Sequence, residues 1–494
     1  MPYLLTKTKV MSGLQCHKKL WFDIHSPIKK DSHLFHIGNR FGEYARTHYG
    51  KGENLADVLN PEAAATKTSE LILNPNVYSI YEAAFIQANI LVRPDILLKK
   101  NNFWEMVEIK ASTSLKSEHI RDATIQAYVL KSCGLTLKKI KIGHINSSFI
   151  YKGDDKYNDL LVEVDITEKV FEEICNVEKW INDILYLTDI NSPAPSSTVG
   201  NQCTTPYPCN YIERCDNATI KKSEIPISII PNIGKKLAAH WEEKNVQDLR
   251  DLPPETLKNP IHKTIQQCHI NNTTWINPEI VKKIRSLSWP RYFMDFETVQ
   301  QGVPILKDTK PYQAVPFQWS LHIQKSLEDK VNLNDGIGFL EFGNQKSIYD
   351  FLKTLLEALG NEGPIFVHNA SFEITILKSL IDRDECREFN NKIYSTISRI
   401  VDTLKLVREG FYSPAMQGSY SLKDIVKAIP TNVDYTSEQA LSGGSEAQIA
   451  WFICTDSNIE ENEKNRWAAR LKQYCAQDTY AMYDLINYLT KALN

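Results

Sequence analysis

No stretch of this 494-residue chain approaches the roughly 18 consecutive apolar residues that a membrane-crossing helix needs, which excludes a membrane-spanning bundle. The opening residues, MPYLLTKTKVMSGLQC, hold no long apolar segment and no small-residue cleavage site. No secretory leader is read there, and the cytoplasm is the expected compartment. An excess of one charge is also missing: 57 Lys and Arg face 60 Asp and Glu, a net charge of -3. That rules out a uniformly basic nucleic-acid coat but not local patches. Basic pairs do recur, at Lys18-Lys19, Lys29-Lys30, Lys99-Lys100, Lys138-Lys139, Lys235-Lys236 and Lys282-Lys283. Each taken alone reads as solvated surface. Internal repeats and low-complexity tracts are absent as well, which excludes a solenoid. Cysteine is sparse, ten in all, and without an export signal a disulfide framework is not expected.

What is present is an ordinary globular composition, 42% hydrophobic and 24% charged, with length for about three domains. The Pro/Ser-rich stretch NSPAPSSTVGNQ (191–202) breaks a helical pattern, and a new strand begins at Tyr292 after Trp289-Pro290. These signals place an N-terminal domain at 1–220, a helical connector at 221–288 and a C-terminal domain at 289–494. The expected class is α/β.

In the first domain, ILVRPDILL (90–98) and FWEMVEIK (103–110) flank the turn signal KKNN and read as a β-hairpin. Alternation puts Glu108 and Lys110 on one strand face, within reach of Asp95. Two carboxylates beside a lysine suit a Mg²⁺ or Mn²⁺ site that acts on phosphodiesters. Pro94-Asp95 followed by Glu108-x-Lys110 inside apolar strands resembles the PD-(D/E)xK nucleases, in their RecB-like branch. Gln126 and Tyr128, on an expected helix over HIRDATIQAYVL, resemble that branch's downstream motif. The resemblance implies a restriction-endonuclease-like domain with Asp95 and Glu108 as metal ligands and Lys110 and Gln126 completing the site. Where many of those enzymes place a metal-binding histidine, this chain has Gly42, followed by Glu43.

Cys203, Cys209 and Cys215 lie in CTTPYPCNYIERC, and Cys16 lies near the N-terminus. The spacing does not match the short knuckles of structural zinc, and four thiolates from both ends of a domain suit a [4Fe–4S] cluster better. Zinc in the same site stays open. The arrangement, one cysteine before the nuclease core and three after it, resembles iron–sulfur RecB-like exonucleases of the AddB and CRISPR-associated type. The other six cysteines, Cys133, Cys175, Cys268, Cys386, Cys454 and Cys475, are expected to be buried small residues.

In the connector, residues 225–253 show two short helical patterns around Pro231-Asn232-Ile233-Gly234, and resemble a helix-hairpin-helix with Lys235 and Lys236 next to its turn. A packed helical linker is the alternative.

The C-terminal domain opens with RYFMDFETV, a strand with Asp295 and Glu297 on one face. IFVHNASFEITILKSL (365–380) runs from strand into helix and carries Glu373. LKQYCAQDTYAMYDLINYL (471–489) is a helix with Tyr474 and Asp478 four residues apart, hence on one side. GSYSLKDIVKAI (418–429) reads as a further helix. In this order the elements resemble the DnaQ-like DEDD exonucleases, in the tyrosine form, on an RNase H-like 3′–5′ exonuclease fold. Glu373 stands where aspartate is usual. The resemblance implies that Asp295, Glu297, Glu373 and Asp478 hold two divalent metals and that Tyr474 positions the attacking water. Asp402, in VDTLKL, reads as a helix cap.

Taken together, the chain resembles a bacterial family that joins an iron–sulfur RecB-like nuclease to a DnaQ-like exonuclease. The expected activity is a two-site, metal-dependent nuclease acting on DNA, in repair, CRISPR-related or phage-defence roles. Two rivals remain open: a DNA-binding scaffold with one or both sites inactive, and an RNA-processing 3′ exonuclease.

Overall fold

The computed structural model describes residues 3–28, 32–216, 223–437, 441 and 443–492. The basic pair Lys29-Lys30 lies outside them, as does the expected boundary at 220. The fold is mixed α/β, in two compact units. The first comprises Met1–Lys221 together with Gln301–Tyr312, and the second Lys222–Gln300 together with Gln313–Asn494. The expected connector is therefore part of the second unit, and a twelve-residue loop from the C-terminal segment belongs to the first. That loop is fastened there by hydrogen bonds: Tyr312 Oη donates to the Ala111 carbonyl at 2.7 Å and the Tyr151 amide to the Thr309 carbonyl at 3.0 Å.

The first unit is built on a six-stranded sheet. In both chain order and spatial order its strands are β1 (Glu53–Asn54), β2 (Ser79–Tyr81), β3 (Ile96–Lys100), β4 (Phe103–Lys110), β5 (Leu137–Ile145) and β6 (Leu161–Asp165). β3 and β4 form an antiparallel hairpin with Lys100 opposite Phe103. β4 and β5 are parallel, so the chain must cross over between them, and it does so through a helix (Ser117–Ser132). That helix stops because Gly134 takes φ +85°, which lets the Leu135 amide turn back to the Leu130 carbonyl.

The expected single strand over 90–98 is in fact two. Ile90–Val92 pairs with Leu5–Thr6 and Phe85–Gln87 in a separate three-stranded sheet, and β3 starts only at Ile96. Pro94 is the physical reason: it has no N–H to continue a ladder, so the chain changes sheets there.

The second unit holds a five-stranded sheet of β7 (Arg291–Gln300), β8 (Ala314–Gln324), β9 (Ile337–Leu340), β10 (Ile365–Val367) and β11 (Ile400–Asp402). Their spatial order is β9-β8-β7-β10-β11. β7 is antiparallel to β8 and parallel to β10. As the central strand it is buried along most of both faces, which explains why its sequence is apolar almost throughout. Helices Ser371–Ile381 and Glu461–Lys491 follow later in the chain, and the buried face of the latter packs beside Phe293 and Phe366.

In the former connector, the residues before the Pro231 turn form only a three-residue tight turn, Ile227–Ile229, not a helix. Pro226 and Pro231 bracket it and leave too few amide donors for an α-helix. A helix does follow, Gly234–Glu242. Asn232 adopts φ +68°, and a Cβ on Gly234 would sit 2.4 Å from the Ser228 carbonyl oxygen, so the tight backbone approach requires glycine at 234. The helix expected over 418–429 is shorter, Leu422–Ile425, started by the Ser421 side chain accepting from the Asp424 amide. Among the described residues, no helix is long and apolar enough to cross a membrane.

Candidate active sites

In the first unit, β3, β4 and the crossover helix bring Asp95, Glu108, Lys110 and Gln126 together. Lys110 Nζ donates to Glu108 Oε1 at 2.7 Å, as expected for residues two apart on one strand face. Gln126 Nε2 donates to the other oxygen, Oε2, at 2.7 Å. Asp95 Oδ2 accepts from the Ile109 amide at 2.6 Å, which seats it between Glu108 and Lys110 on the hairpin. Glu108 is only 1% exposed.

Two residues that sequence reasoning missed complete this cluster. Asp122, one helical turn before Gln126, forms an ion pair with Lys110 and lies 3.6 Å from Lys7 Nζ. Lys7 forms an ion pair with the same Glu108 oxygen that Lys110 contacts. Asp122 was legible as the i, i+4 partner of Gln126. Lys7 had no local signal, since about a hundred residues separate it from Glu108. Burial and the neighbouring Glu108 push Asp95 up to about 8. Burial also works against ionised Glu108, but Lys110 and Lys7 outweigh it and hold that carboxyl well below its usual range. Burial would lower Lys110, but Asp122, Glu108 and Asp95 raise it instead.

Glu43 is not brought to this cluster. It is exposed on the helix His33–Tyr49 and lines an open groove of about 840 Å³ with Arg46 and Tyr78. Tyr128 is half-buried against the main apolar core of this unit.

The four cysteines lie in one region of the first unit, within electrostatic range of one another. Cys16 ends the helix Lys7–Gln15, and the Cys209 amide donates to the Cys203 carbonyl at 2.8 Å. The Cys215 thiol is raised by burial and, against Lys18, by Cys209, Cys16 and Cys203, although no three of the four sulfurs fall within 4.8 Å of one another. Around them, Gln15 Nε2 donates to the carbonyls of Gln202 (2.7 Å) and Tyr207 (2.6 Å), and Phe22 stacks on Tyr211 at 4.9 Å. All ten cysteines are free thiols. Of the remaining six, Cys268, Cys386 and Cys475 are buried, Cys454 is half-buried, and Cys133 and Cys175 are exposed, contrary to expectation. Cys133 caps the end of the crossover helix and Cys175 lies in a short surface turn, positions that no core covers.

In the second unit, β7 delivers Asp295 and Glu297, and the long C-terminal helix delivers Asp478. One oxygen of each lies within 4.8 Å of the others, the one such group of three among the described residues. Glu373, in the first turn of its helix, is 2% exposed, and its Oε2 is buried without a hydrogen-bond partner among the described residues. It adds to the negative field at both Asp295 and Glu297. Burial pushes Glu373 and Glu297 to about 8, the latter helped by Asp478 and Glu373, and burial pushes Asp478 to about 6. Asp295, partly buried and close to all three other acids, is raised well above the carboxylate range.

Tyr474 lies against Asp478 on the same helix face, and its hydroxyl is raised by burial and by these acids. Two neighbours were missed. Tyr435 Oη donates to Asp478 Oδ1 at 2.5 Å, from an irregular segment with no periodicity to flag it. The Cys475 thiol, read as packing alone, donates to Asp295 Oδ2 at 3.5 Å. Asp402 caps its helix as expected, accepting from the Leu404 amide at 2.9 Å.

Residues 292–421 match a family described as a domain of unknown function (DUF2779). That stretch carries Asp295, Glu297 and Glu373 but ends before Tyr474 and Asp478. The uncharacterized protein MG366 of Mycoplasma genitalium is 22% identical over 218 residues, covering 40% of this chain and 32% of its own length. The uncharacterized protein UU173 of Ureaplasma parvum serovar 3 is 33% identical over 69 residues, 14% of this chain and 10% of its own. The chain thus spans a third or less of the length of these curated relatives. The crystal structure of SSO0001 aligns with 36% of this chain and 77% of its own at 14% identity, with a TM-score of 0.17, too low to assign a fold.

Proposed function

We propose that the chain is a metal-dependent nuclease with two active sites, one in each unit, whose substrate is DNA. The observation that carries this reading is the convergence of Asp295, Glu297 and Asp478 within 4.8 Å, with Glu373 beside them. Such a group is costly without a cation. Its members repel one another out of water, and each is pushed toward its protonated form. The donors are all hard oxygens, and one of them, Glu373 Oε2, is buried without a partner, so the set fits Mg²⁺ or Mn²⁺. When bound, such ions polarise a phosphodiester and acidify water.

The residues do the rest. Asp295, Glu297, Glu373 and Asp478 would hold the ions, Tyr435 orients Asp478, and the Tyr474 hydroxyl beside Asp478 would position the attacking water. A central strand flanked by an antiparallel pair on one side and parallel strands on the other supports an RNase H-like, DnaQ-like exonuclease domain.

In the first unit, an Asp95/Glu108/Lys110 hairpin followed by a crossover helix carrying Gln126 supports the RecB-like PD-(D/E)xK reading. Lys110 would stabilise charge developing on phosphate. Four thiols within electrostatic range of one another, drawn from both ends of that unit, suit a [4Fe–4S] cluster that would tie those ends together. The turn before Gly234, with Lys235 and Lys236 exposed beside a helix N-terminus, suits a backbone phosphate contact.

The test is a time course on end-labelled single- and double-stranded DNA and RNA with Mg²⁺ or Mn²⁺. It compares wild type with Lys110→Ala, Asp295→Ala and the double variant. Cleavage by wild type, partial loss in each single variant and full loss in the double variant is expected. No cleavage of any substrate by wild type overturns the proposal, and a preference for RNA reassigns the substrate.

A further inference from the structure

Lys7 stands outside every motif in the chain, yet its ammonium reaches the most buried carboxylate of the first site. Its placement is over-determined. Leu5–Thr6 pairs in parallel with Ile90–Leu91, on the strand that leads three residues beyond Val92 to Asp95. Leu5 is fully buried, and its amide donates to the Asn89 carbonyl at 2.9 Å. Thr6 then caps the helix Lys7–Gln15, with the Lys9 amide at 3.4 Å from Thr6 Oγ1. On the other side, a Cβ on Gly13 would meet Leu20 at 2.9 Å and Ile184 at 3.0 Å, so the helix is packed tightly. The sheet and the helix therefore aim Lys7 at the same point as the catalytic hairpin.

A structural ion pair does not need this arrangement. Lys7 and Lys110 both contact Glu108 Oε1 and both face Asp122, so two like charges share one acceptor and repel each other. Gln126 already occupies Glu108 Oε2. Every oxygen that Glu108 could offer a metal therefore carries a protein donor. Glu82, the other acid nearby, is answered separately by Arg93 at 3.9 Å and Arg46 at 4.0 Å. Ionised Asp95, Glu108 and Asp122 exceed Lys7 and Lys110 by one negative charge, a surplus that a divalent cation together with a phosphodiester would offset. The side chains of Lys7 and Lys110 are each 21% exposed against 2% for Glu108, so both ammoniums sit nearer solvent than the carboxylate they share.

On the reading that the first site binds a divalent cation, we propose that Lys7 is a cation-exchange residue. It holds Glu108 and Asp122 while the site is empty, yields them to the entering metal, and then pairs with the substrate phosphate. This gives metal and DNA binding a common gate. The metal must displace an ammonium, and the displaced ammonium favours the substrate.

The test is Mn²⁺ titration of the full chain in an Asp295→Ala background, which disables the second site, comparing Lys7 with Lys7→Gln, Lys7→Met and Lys7→Arg. Removing a competing cation should tighten Mn²⁺ binding at the first site roughly three- to tenfold in both neutral variants, and Lys7→Arg should return it toward wild type. At saturating Mn²⁺ the neutral variants should show a raised KM for DNA. A lysine that merely braces the fold predicts the opposite sign, weaker metal binding in both neutral variants. Unchanged or weaker Mn²⁺ affinity in Lys7→Gln and Lys7→Met, with circular dichroism intact, overturns the proposal while leaving the metal site standing. Absence of Mn²⁺ binding in the Lys7 parent, restored by none of the variants, overturns the metal reading itself.

Discussion

Glu373 offers a quantitative test that needs no substrate. Its carboxyl is 2% exposed, one oxygen has no partner among the described residues, and burial moves it from an ordinary 4.5 to about 8. A carboxyl raised in the folded state binds its proton more tightly there than in the unfolded chain. The stability it allows is therefore fully present below pH 4.5 and is lost as pH rises through about 8. That difference corresponds to at most about 5 kcal/mol, at ~1.4 kcal/mol for each tenfold change in proton affinity. Glu373→Gln keeps the shape and removes the ionisation. Its amide is still buried without a partner, which returns about 1–3 kcal/mol of cost. The metal-free variant should thus exceed wild type by about 2–4 kcal/mol at pH 8.5 and match or fall below it at pH 5. Hydrogen exchange of the Ser371–Ile381 amides reads this directly, because opening that helix exposes Glu373. Mn²⁺ at pH 8.5 should raise protection in wild type more than in the variant. Equal protection of the two metal-free proteins at pH 8.5, after correction for intrinsic exchange, would refute the reasoning.

Three further outcomes are expected. Lys110→Ala should abolish one cleavage activity while leaving DNA affinity largely intact, as gel-shift and cleavage assays on the same substrate will show. Anaerobically purified protein should be brown with about four irons per chain, as four thiolates imply; Cys209→Ser should lose the iron and destabilise the first unit, whereas stoichiometric zinc without iron would refute the cluster. In a Lys110→Ala background, Tyr474→Phe should preserve metal binding and slow 3′-end trimming by roughly 10²–10⁴; a background that trims no 3′ end in either metal removes the second site from the enzyme reading.

The candidate sites were legible where chemistry sits on regular elements. Alternation on one strand predicted the Glu108–Lys110 pairing and the shared face of Asp295 and Glu297, and helical spacing predicted Tyr474 beside Asp478. Legibility failed where the contact is made through space alone. Tyr435 reaches Asp478 from an irregular segment, and Lys7 reaches Glu108 from the far end of the unit. Local periodicity carries no information about either.

The sequence by itself determined the mixed α/β class and the strands and helices that bear the acids, because alternation and helical spacing are backbone geometry written in residue order. It also determined where Asp402 caps its helix, a bond between residues two apart. Only the tertiary structure decided that Pro94 splits one apolar run between two sheets, that 301–312 belongs to the first unit, and that Glu108 is shared by two lysines. The reason is the same in each case. These outcomes depend on which distant surfaces pack together, and the free energy that selects them is spread over contacts between residues far apart in the chain.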